Sequence, residues 1–352
     1  MTERAEIRLS VELARAMCEH LLHQLEVGAE EAQLTTNTLL EASLRGVDSH
    51  GIALLAVFAE RIRSGQIHPG RCPFVRRDSP SSAWLDGQHG LGPPLATAAM
   101  GLAAHKAARH GLGAVSLQNG NYVGALATYV EAPARDGFIA LAMANATPRV
   151  APYGGAAGLH GTNPVAWAAP TVDGDPLVFD AATGHAAAPI VQAADEGRPI
   201  PQGMALDGEG RPTTDAGAAA NGTLLPVGGA LGYGLGLLVD VLTGGLAAAP
   251  MGREVPPVTA VNGPYGCSFF ALVIDPQQFG ASGTLAARIS ELCASARQTT
   301  PAVGVDEVLA PGDRALRTRA ERLQGGIPFS SRAWQGLLQR LIAADLDVSS
   351  VP

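Results

Sequence analysis

Apolar residues recur three and four positions apart in two stretches near the start of the chain, residues 8–25 and 30–45. This spacing places them on one face of a helix, so each stretch predicts an amphipathic helix. Residues 52–63 repeat the pattern, whereas residues 64–73 contain two glycines and two prolines and predict a loop. The chain is therefore expected to begin with a helical part.

The middle of the chain has a different pattern, in which short apolar runs are bounded by glycine, proline or asparagine. Residues 82–111 predict a short strand, a glycine turn and a long alanine-rich helix. Runs of this length and composition are typical of buried strands. Strands are predicted at residues 113–119, 138–145, 164–170, 176–183 and 268–275.

Helical patterns return towards the end of the chain. Residues 228–246 are apolar almost throughout and predict a buried helix. Residues 283–298 and 312–345 also predict helix, and the second stretch contains a serine cap before its last amphipathic run. The order of elements is α/β without a regular βαβ repeat. No G-x-G-x-x-G follows the first strand, which disfavours a doubly wound Rossmann domain.

Composition excludes several classes of protein. Of 352 residues, 47% are hydrophobic and 16% are charged, as in a folded domain, and the net charge of -8 offers no basic stripe for nucleic acid. The four cysteines lie far apart without C-x-x-C spacing, so neither a metal site nor a disulfide framework is predicted. No signal peptide is recognisable and no apolar run reaches the ~20 residues of a membrane span. We expect a cytoplasmic protein without nucleic-acid or membrane partners.

The stretch Leu44–Ile52, LRGVDSHGI, contains the first candidate for chemistry. Asp48, Ser49 and His50 are adjacent, but the members of a catalytic triad normally come from distant parts of a chain. His50 could exchange a proton near neutral pH, although a lone histidine is more commonly a capping or core residue. Asp48 and Arg45 would form at most a weak surface ion pair.

Glycine clusters lie beside the ends of predicted strands, in PYGGAAGLHGTNP, FDAATGHAA and LPVGGALGYG. Glycine lets a backbone approach a ligand closely and exposes its N–H groups. Thr162, Asn163, Asp180 and Thr183 in these clusters could bind phosphates or ribose hydroxyls. They could equally be turn and cap residues, and the pattern leaves both interpretations open.

Taken together, six blocks resemble the type II malate/L-lactate dehydrogenase family in their order along the chain. The blocks are LRGVDSHGI, GTNPVAWAAP, FDAATG, IPQGMALDGEGRPTTD, LPVGGALGYGLGLLVDVLTGGL and APGDRALRTRAERLQGGIPFS. The resemblance extends from about residue 8 to residue 345. It implies a non-Rossmann NAD(P)-binding α/β fold with a mixed sheet, an oxidoreductase activity with NADPH or NADH, and a homodimer.

The resemblance also implies an organisation in three parts. Residues 1–75 would form an N-terminal helical part that carries the active-site histidine, and residues 76–275 an α/β nucleotide-binding core. Residues 276–352 would form helices that pack back on the N-terminal part. The active site would lie between the first two parts.

Site residues follow from the same blocks. His50 matches the family's active-site histidine and Ser49 its companion serine. Asp180 would orient His50 or lie at the nicotinamide, since a carboxylate can fix an imidazole tautomer. The residues matched or assigned to the cofactor are Gly161, Thr162, Asn163, Asp180, Ala181, Ala182, Thr183, Gly232 and Arg319, with Arg314 as a second candidate phosphate contact.

The chain departs from the family where substrate should bind. Leu54 occupies a position where an arginine is common, Phe58 that of a tyrosine and Leu231 that of a lysine, and some members have a basic residue near Ala146. Tyr122 replaces a histidine, and a phenol with an ordinary pKa of about 10 is a poor base.

These departures predict an apolar pocket with few cations, lined by Leu54, Phe58 and Tyr153. The expected activity is NAD(P)H-dependent reduction of a C=N or C=O bond in a neutral or cationic small molecule of natural-product type. His50 would donate the proton, with Tyr122 as a second donor. The alternatives are a conventional 2-hydroxy acid dehydrogenase, a lyase, isomerase or cyclase on the same fold, and a non-catalytic dimeric scaffold.

Overall fold

The computed structural model describes residues 6–257, 260, 263–280, 283–349 and 351. Within these ranges the α-helices are α1 (Val11–Gln24), α2 (Ala29–Leu44), α3 (Leu55–Arg63), α4 (Gly92–His110), α5 (Ala127–Arg135), α6 (Ala187–Asp195), α7 (Ala216–Ala220), α8 (Ala230–Asp240), α9 (Leu285–Arg297), α10 (Asp313–Gly325) and α11 (Ser331–Ala343). The strands are β1 (Glu6–Leu9), β2 (Phe74–Asp78), β3 (Ser82–Asp86), β4 (Leu112–Gly120), β5 (Ile139–Ala144), β6 (Val165–Ala169), β7 (Leu177–Ala181), β8 (Ala205–Leu206), β9 (Pro212–Thr213), β10 (Thr223–Leu224), β11 (Cys267–Ile274) and β12 (Ile327–Ser330).

A seven-stranded mixed sheet forms the centre of the molecule, in the order β2-β3-β4-β11-β5-β6-β7. Only β3 and β4 run parallel, and the other neighbours are antiparallel. A Rossmann domain has a mostly parallel sheet, so this topology confirms the predicted non-Rossmann α/β class.

Small side chains let helices pack closely on this sheet. Alanines such as Ala142 and Ala168 are fully buried in the core beneath α4 and α5. At Gly113 on β4, an added Cβ would lie 1.9 Å from the Ala103 carbonyl oxygen of α4. Only glycine therefore permits this helix–strand distance.

A second core joins the two ends of the chain. Leu21, Leu39 and Phe58 from the first three helices pack with Trp334 and Leu337 of α11. The division at residues 75/76 and 275/276 stays a prediction, but α11 does pack on the N-terminal helices.

Two of the helix predictions extend over strands, which the structure corrects. Residues 8 and 9 belong to β1, because the Ser10 side chain accepts the N–H of Leu13 and starts α1 only afterwards. Within 312–345, Gly326 has φ +80° and ends α10, and β12 then pairs with β1. The predicted serine cap of the last helix is Ser330, whose hydroxyl accepts the N–H of Ala333.

The helix predicted to be buried at residues 228–246 is buried on one face only. Gly232 and Gly236 face the interior, where the imidazole of His160 packs against Gly236. Large apolar side chains face outwards at Leu231, Leu235 and Leu238, and Leu231 is 70% exposed. The prediction failed because apolar content alone does not distinguish a buried face from an unpartnered one.

Among the described residues, none of the helices combines the length and the apolar character needed to cross a membrane.

Candidate active site

One large cleft, of about 860 Å³, lies between the N-terminal helices and the sheet. Its walls come from the end of α2, the start of α5, the residues after β5, the end of β7 and one face of α10. A volume of this size is sufficient for a nucleotide cofactor and a small substrate.

His50 reaches this cleft from a tight turn that follows α2. The turn is a single 3-10 turn, Asp48–His50, and is held by the Ser43 hydroxyl, which accepts the N–H of Ile52 at 3.0 Å. An added Cβ at Gly51 would lie 2.0 Å from this same hydroxyl oxygen. The local sequence therefore fixes the direction of the histidine.

The imidazole of His50 is half-buried, and Nδ1 lies 2.9 Å from the hydroxyl oxygen of Ser49. A serine hydroxyl can donate to a neutral imidazole and accept from a protonated one, so this hydrogen bond suits both states. Burial lowers the pKa of His50 below its ordinary 6.5. Ser49 and His50 thus form a proton-exchanging pair at the wall of the cleft.

Asp48 takes no part in a triad, because its carboxylate is bound by Arg322 of α10. The Arg322 Nη2 to Asp48 Oδ2 distance is 3.1 Å, and a second contact joins Nη1 to Oδ1. The suggested surface pair of Asp48 with Arg45 is therefore wrong, since Arg45 binds Glu41 and Glu131 instead.

Tyr122 also lines the cleft, and its ring centroid lies 5.9 Å from that of His50. Burial raises the pKa of Tyr122 well above the ordinary phenol value, and the neighbouring Tyr265 raises it further. The phenol therefore stays protonated, which allows donation of a hydrogen bond and excludes action as a base at neutral pH.

Asp180 faces the cleft from the end of β7 and accepts the N–H of Ala127 at 2.8 Å, at the start of α5. Burial raises its pKa, and the backbone N–H groups of Ala127 and Leu126 oppose this shift. Among the hydrogen bonds of residues 6–257, none joins Asp180 to His50. The Ser49 hydroxyl is the group that contacts the imidazole, and an orienting role for Asp180 stays a prediction.

Some residues of the predicted cofactor loops line the cleft, whereas others are buried behind it and hold the loops in position. Thr162, Ala181 and Ala182 line the cleft. Asn163 is fully buried behind them, where its side chain accepts from the N–H of Ala146 at 3.1 Å and donates to the Gly236 carbonyl at 2.9 Å.

Thr183 is also buried, and its hydroxyl lies 3.1 Å from the Thr162 carbonyl, which joins the two loops. An added Cβ at Gly161 would lie 2.3 Å from the Ala146 carbonyl oxygen. These loops therefore present small side chains and backbone to the cleft at a fixed separation, which suits the close approach of a nucleotide.

Gly232 offers a direct test of this loop packing. A Cβ there would lie 2.2 Å from the Val227 carbonyl oxygen and 2.5 Å from that of Thr183. Gly232→Ala is expected to displace the Thr183 loop and weaken nucleotide binding about tenfold or more, measured by titration of nucleotide fluorescence.

The matched control for this substitution is Gly234→Ala on the same helix. An added Cβ at Gly234 meets nothing within 4 Å, and alanine favours helix by about 1 kcal/mol. Equal weakening by both substitutions would show that the close packing at Gly232 is unimportant.

Four further predicted site residues also lie away from the cleft wall. Arg319 is bound by both carboxylate oxygens of Glu41 at 2.9 Å. Leu54 and Phe58 are buried in the N-terminal core, because the 3-10 turn and α3 direct them inwards. Tyr153 is 66% exposed and packs beside Gly229. Their assignments to cofactor and substrate stay predictions.

Five arginines lie on the cleft walls, where few cations were expected; of these, Arg314 alone was predicted to contact the cofactor. The group consists of Arg45, Arg135, Arg149, Arg314 and Arg322. Arg45 pairs with Glu41 and Glu131, Arg135 with Glu131, and Arg322 with Asp48. Single arginines spread over 278 positions give no sequence pattern, so only the fold reveals that they share a cleft.

The cleft thus combines a proton-exchanging histidine with glycine-permitted backbone loops, as in an oxidoreductase that binds a nicotinamide nucleotide. The sequence model of the malate/L-lactate dehydrogenase family matches residues 9–338. The chain belongs to this family and is an NAD(P)-dependent oxidoreductase.

Individual relatives agree with this assignment. The chain is 33% identical to the ureidoglycolate dehydrogenase (NAD(+)) of Escherichia coli K12, over 91% of this chain and 92% of the relative. It is 36% identical to the (2R)-3-sulfolactate dehydrogenase (NADP(+)) of Chromohalobacter salexigens, over 70% of this chain and 74% of the relative. The crystal structure of delta1-piperideine-2-carboxylate reductase from Pseudomonas syringae pvar. tomato superposes with a TM-score of 0.83 at 29% identity, covering 95% of this chain and 99% of that one.

Proposed function

We propose that the chain reduces a C=N or C=O bond of a small molecule with NADPH or NADH, and that His50 donates the proton. The observation that carries this proposal is the half-buried imidazole in the same cleft as Thr162 and Ala182 of the cofactor loops. Reduction needs a hydride, which a bound reduced nicotinamide supplies, and one proton. The substrate carbon would lie between the nicotinamide and His50.

Side chains of the protein would supply the proton and stabilise the substrate. His50 gives its proton to the oxygen or nitrogen of the substrate and becomes neutral, and Ser49 holds the ring in both states. Tyr122 keeps its proton and can donate a second hydrogen bond. Asp180 lines the same cleft, and its carboxylate would stabilise the iminium cation that forms when an imine nitrogen takes the proton from His50 and before the hydride arrives.

The pH dependence tests this role of His50. Reduction requires the protonated imidazole, and the pKa of His50 lies below 6.5. The value of kcat/KM for reduction is therefore expected to rise as pH falls towards and through that pKa, and oxidation by the same enzyme to fall there. Profiles are measured from the absorbance of the reduced nicotinamide, and an inflection only above pH 8 would contradict the assignment.

The sequence departures favour a neutral or cationic substrate, but one observation favours a conventional 2-hydroxy acid as a second candidate. Arg149 lines the cleft three residues after Ala146 and close to Thr147, whose hydroxyl lies 3.4 Å from that of Tyr265. Arg149 has no ion pair within the described part of the chain. An unpaired guanidinium is well suited to a substrate carboxylate.

A panel of cyclic imines, neutral ketones and 2-oxo acids, each with NADPH and with NADH, separates the two candidates. Arg149→Gln should raise KM for acids alone if the second candidate holds, and leave imines and ketones unchanged. Turnover of the substrate without oxidation of either nucleotide would overturn the proposed function altogether.

We also propose a homodimer assembled through the outward face of α8. Leu231, Leu235 and Leu238 follow the i, i+4, i+7 spacing of one helix face and are all exposed, as are Val241 and Leu246 beyond them. A second copy of the chain would cover this stripe. Light scattering should give the dimer mass, and Leu235→Asp should give a folded monomer. The cytoplasmic location stays a prediction.

A further inference from the structure

One face of α10 forms a long wall of the cleft. Arg314, Thr318 and Arg322 lie four residues apart and all line it. At 1.5 Å per residue, Arg314 and Arg322 are separated by ~12 Å along the helix axis. The two residues therefore mark opposite ends of this wall.

The two ends have different surroundings. Arg322 binds Asp48, which immediately precedes Ser49 and His50. The other end abuts β7, where an added Cβ at Gly312 would lie 3.2 Å from the Val178 carbonyl oxygen. If the nicotinamide lies at His50, as the proposed function requires, the adenosine half of an extended dinucleotide reaches the end that contains Arg314.

Arg314 differs from the other arginines of α10 in its partners. Arg317 binds Glu307, Arg319 binds Glu41 and Arg322 binds Asp48. Within the described ranges, Arg314 has no acidic partner and faces the cleft. A guanidinium in this position is available to an anionic group of a ligand.

The acidic residues on the described cleft walls already have partners within the chain. The only acidic residues on the described cleft walls are Glu131, which pairs with Arg45 and Arg135, and Asp180, which accepts the Ala127 N–H. Asp313 precedes Arg314, but Arg297 holds its carboxylate at 2.7 and 2.9 Å.

Nucleotide-binding sites commonly distinguish the two cofactors by these groups: a carboxylate binds the 2′-hydroxyl of NADH, and an arginine binds the 2′-phosphate of NADPH. We propose that Arg314 binds the 2′-phosphate and that this chain selects NADPH over NADH. Arg314 is then a specificity-determining residue at the adenosine end of the cleft, and this assignment rests on the proposed function.

The test compares the binding of NADPH and NADH to the full chain by nucleotide fluorescence. Wild-type protein should bind NADPH about ten- to a hundredfold more tightly, as expected for a charged hydrogen-bonded pair. Arg314→Ala should remove that difference by weakening NADPH alone, with NADH unchanged. Adenosine 2′,5′-bisphosphate should compete with NADPH for the wild-type protein better than 5′-ADP does.

The matched control is Arg317→Ala, which removes an exposed arginine from the same helix away from the cleft. It should leave both nucleotides unchanged. Equal affinity of wild-type protein for the two nucleotides, or equal weakening of both by Arg314→Ala, would overturn this assignment and leave the proposed function intact. Binding of neither nucleotide would overturn both.

Discussion

Replacing His50 with glutamine is expected to reduce kcat by about a hundred- to ten-thousandfold, the range found when a positioned proton donor is lost. Glutamine keeps a polar side chain of similar length beside Ser49 but cannot deliver a proton. Nucleotide affinity should change little, because the cofactor loops are held by Asn163 and Thr183. Steady-state kinetics with a substrate found in the panel, together with nucleotide titration, measure both quantities.

The matched control for His50→Gln is His105→Gln on the exposed surface of α4, outside this cleft. It should leave both kcat and nucleotide affinity unchanged. Retention of full activity by His50→Gln would remove His50 from the mechanism and leave Tyr122 as the remaining candidate donor. Loss of nucleotide binding would instead indicate a structural role for His50.

Arg45→Met should destabilise the fold by about 3 kcal/mol, near the lower end of the range for breaking a buried ion pair. Arg45 and Glu131 are both buried and join the end of α2 to α5. Removal of the guanidinium leaves the Glu131 carboxylate with Arg135 alone, whose side chain is about half exposed. The loss should appear as a lower urea midpoint in equilibrium unfolding.

A double substitution shows whether the lost stability comes from the missing ion pair itself or from the buried carboxylate that is left without its partner. If the cost comes from the buried carboxylate, Arg45→Met with Glu131→Leu should recover most of the stability lost in Arg45→Met, because an apolar pair avoids that desolvation. Arg15→Met is the control, since its pair with Glu19 is partly exposed and should contribute less than about 1 kcal/mol. Additive losses in the double variant would contradict this explanation.

The elements that local pattern determines could be predicted from the sequence. α2 and six of the seven strands of the central sheet lie within a few residues of the predicted positions, because their periodicity and glycine boundaries are local; β2 (Phe74–Asp78) was not predicted. β1 and β12 were missed because each is four residues long and exists only through its pairing with the other end of the chain. The exposure of Leu235 on α8 could not be predicted from the sequence either, since it depends on which face of the helix meets the sheet.

The residues of the site show the same difference between what local sequence indicates and what only the fold determines. His50 and Ser49 were found through the ordered blocks, and the structure places both on the cleft. Leu54 and Phe58 occupy aligned positions but turn into the core, a direction that no spacing reveals. Arg314 was named only as a candidate phosphate contact beside Arg319, and Arg149 was not named, because a sequence does not show which guanidinium the fold leaves without an acidic partner.

Helix α10 also fixes the distance between the two ends of the cleft. Its residues at positions 314, 318 and 322 fall within one arc of the helix, so the two ends of the cleft are separated by two rigid turns rather than by a loop. Inserting or deleting one residue between them would rotate one end by ~100° relative to the other. A substitution at position 314 or 322 therefore changes one end of this wall and leaves the spacing intact, whereas an insertion or deletion between them would change the orientation of the two ends relative to each other.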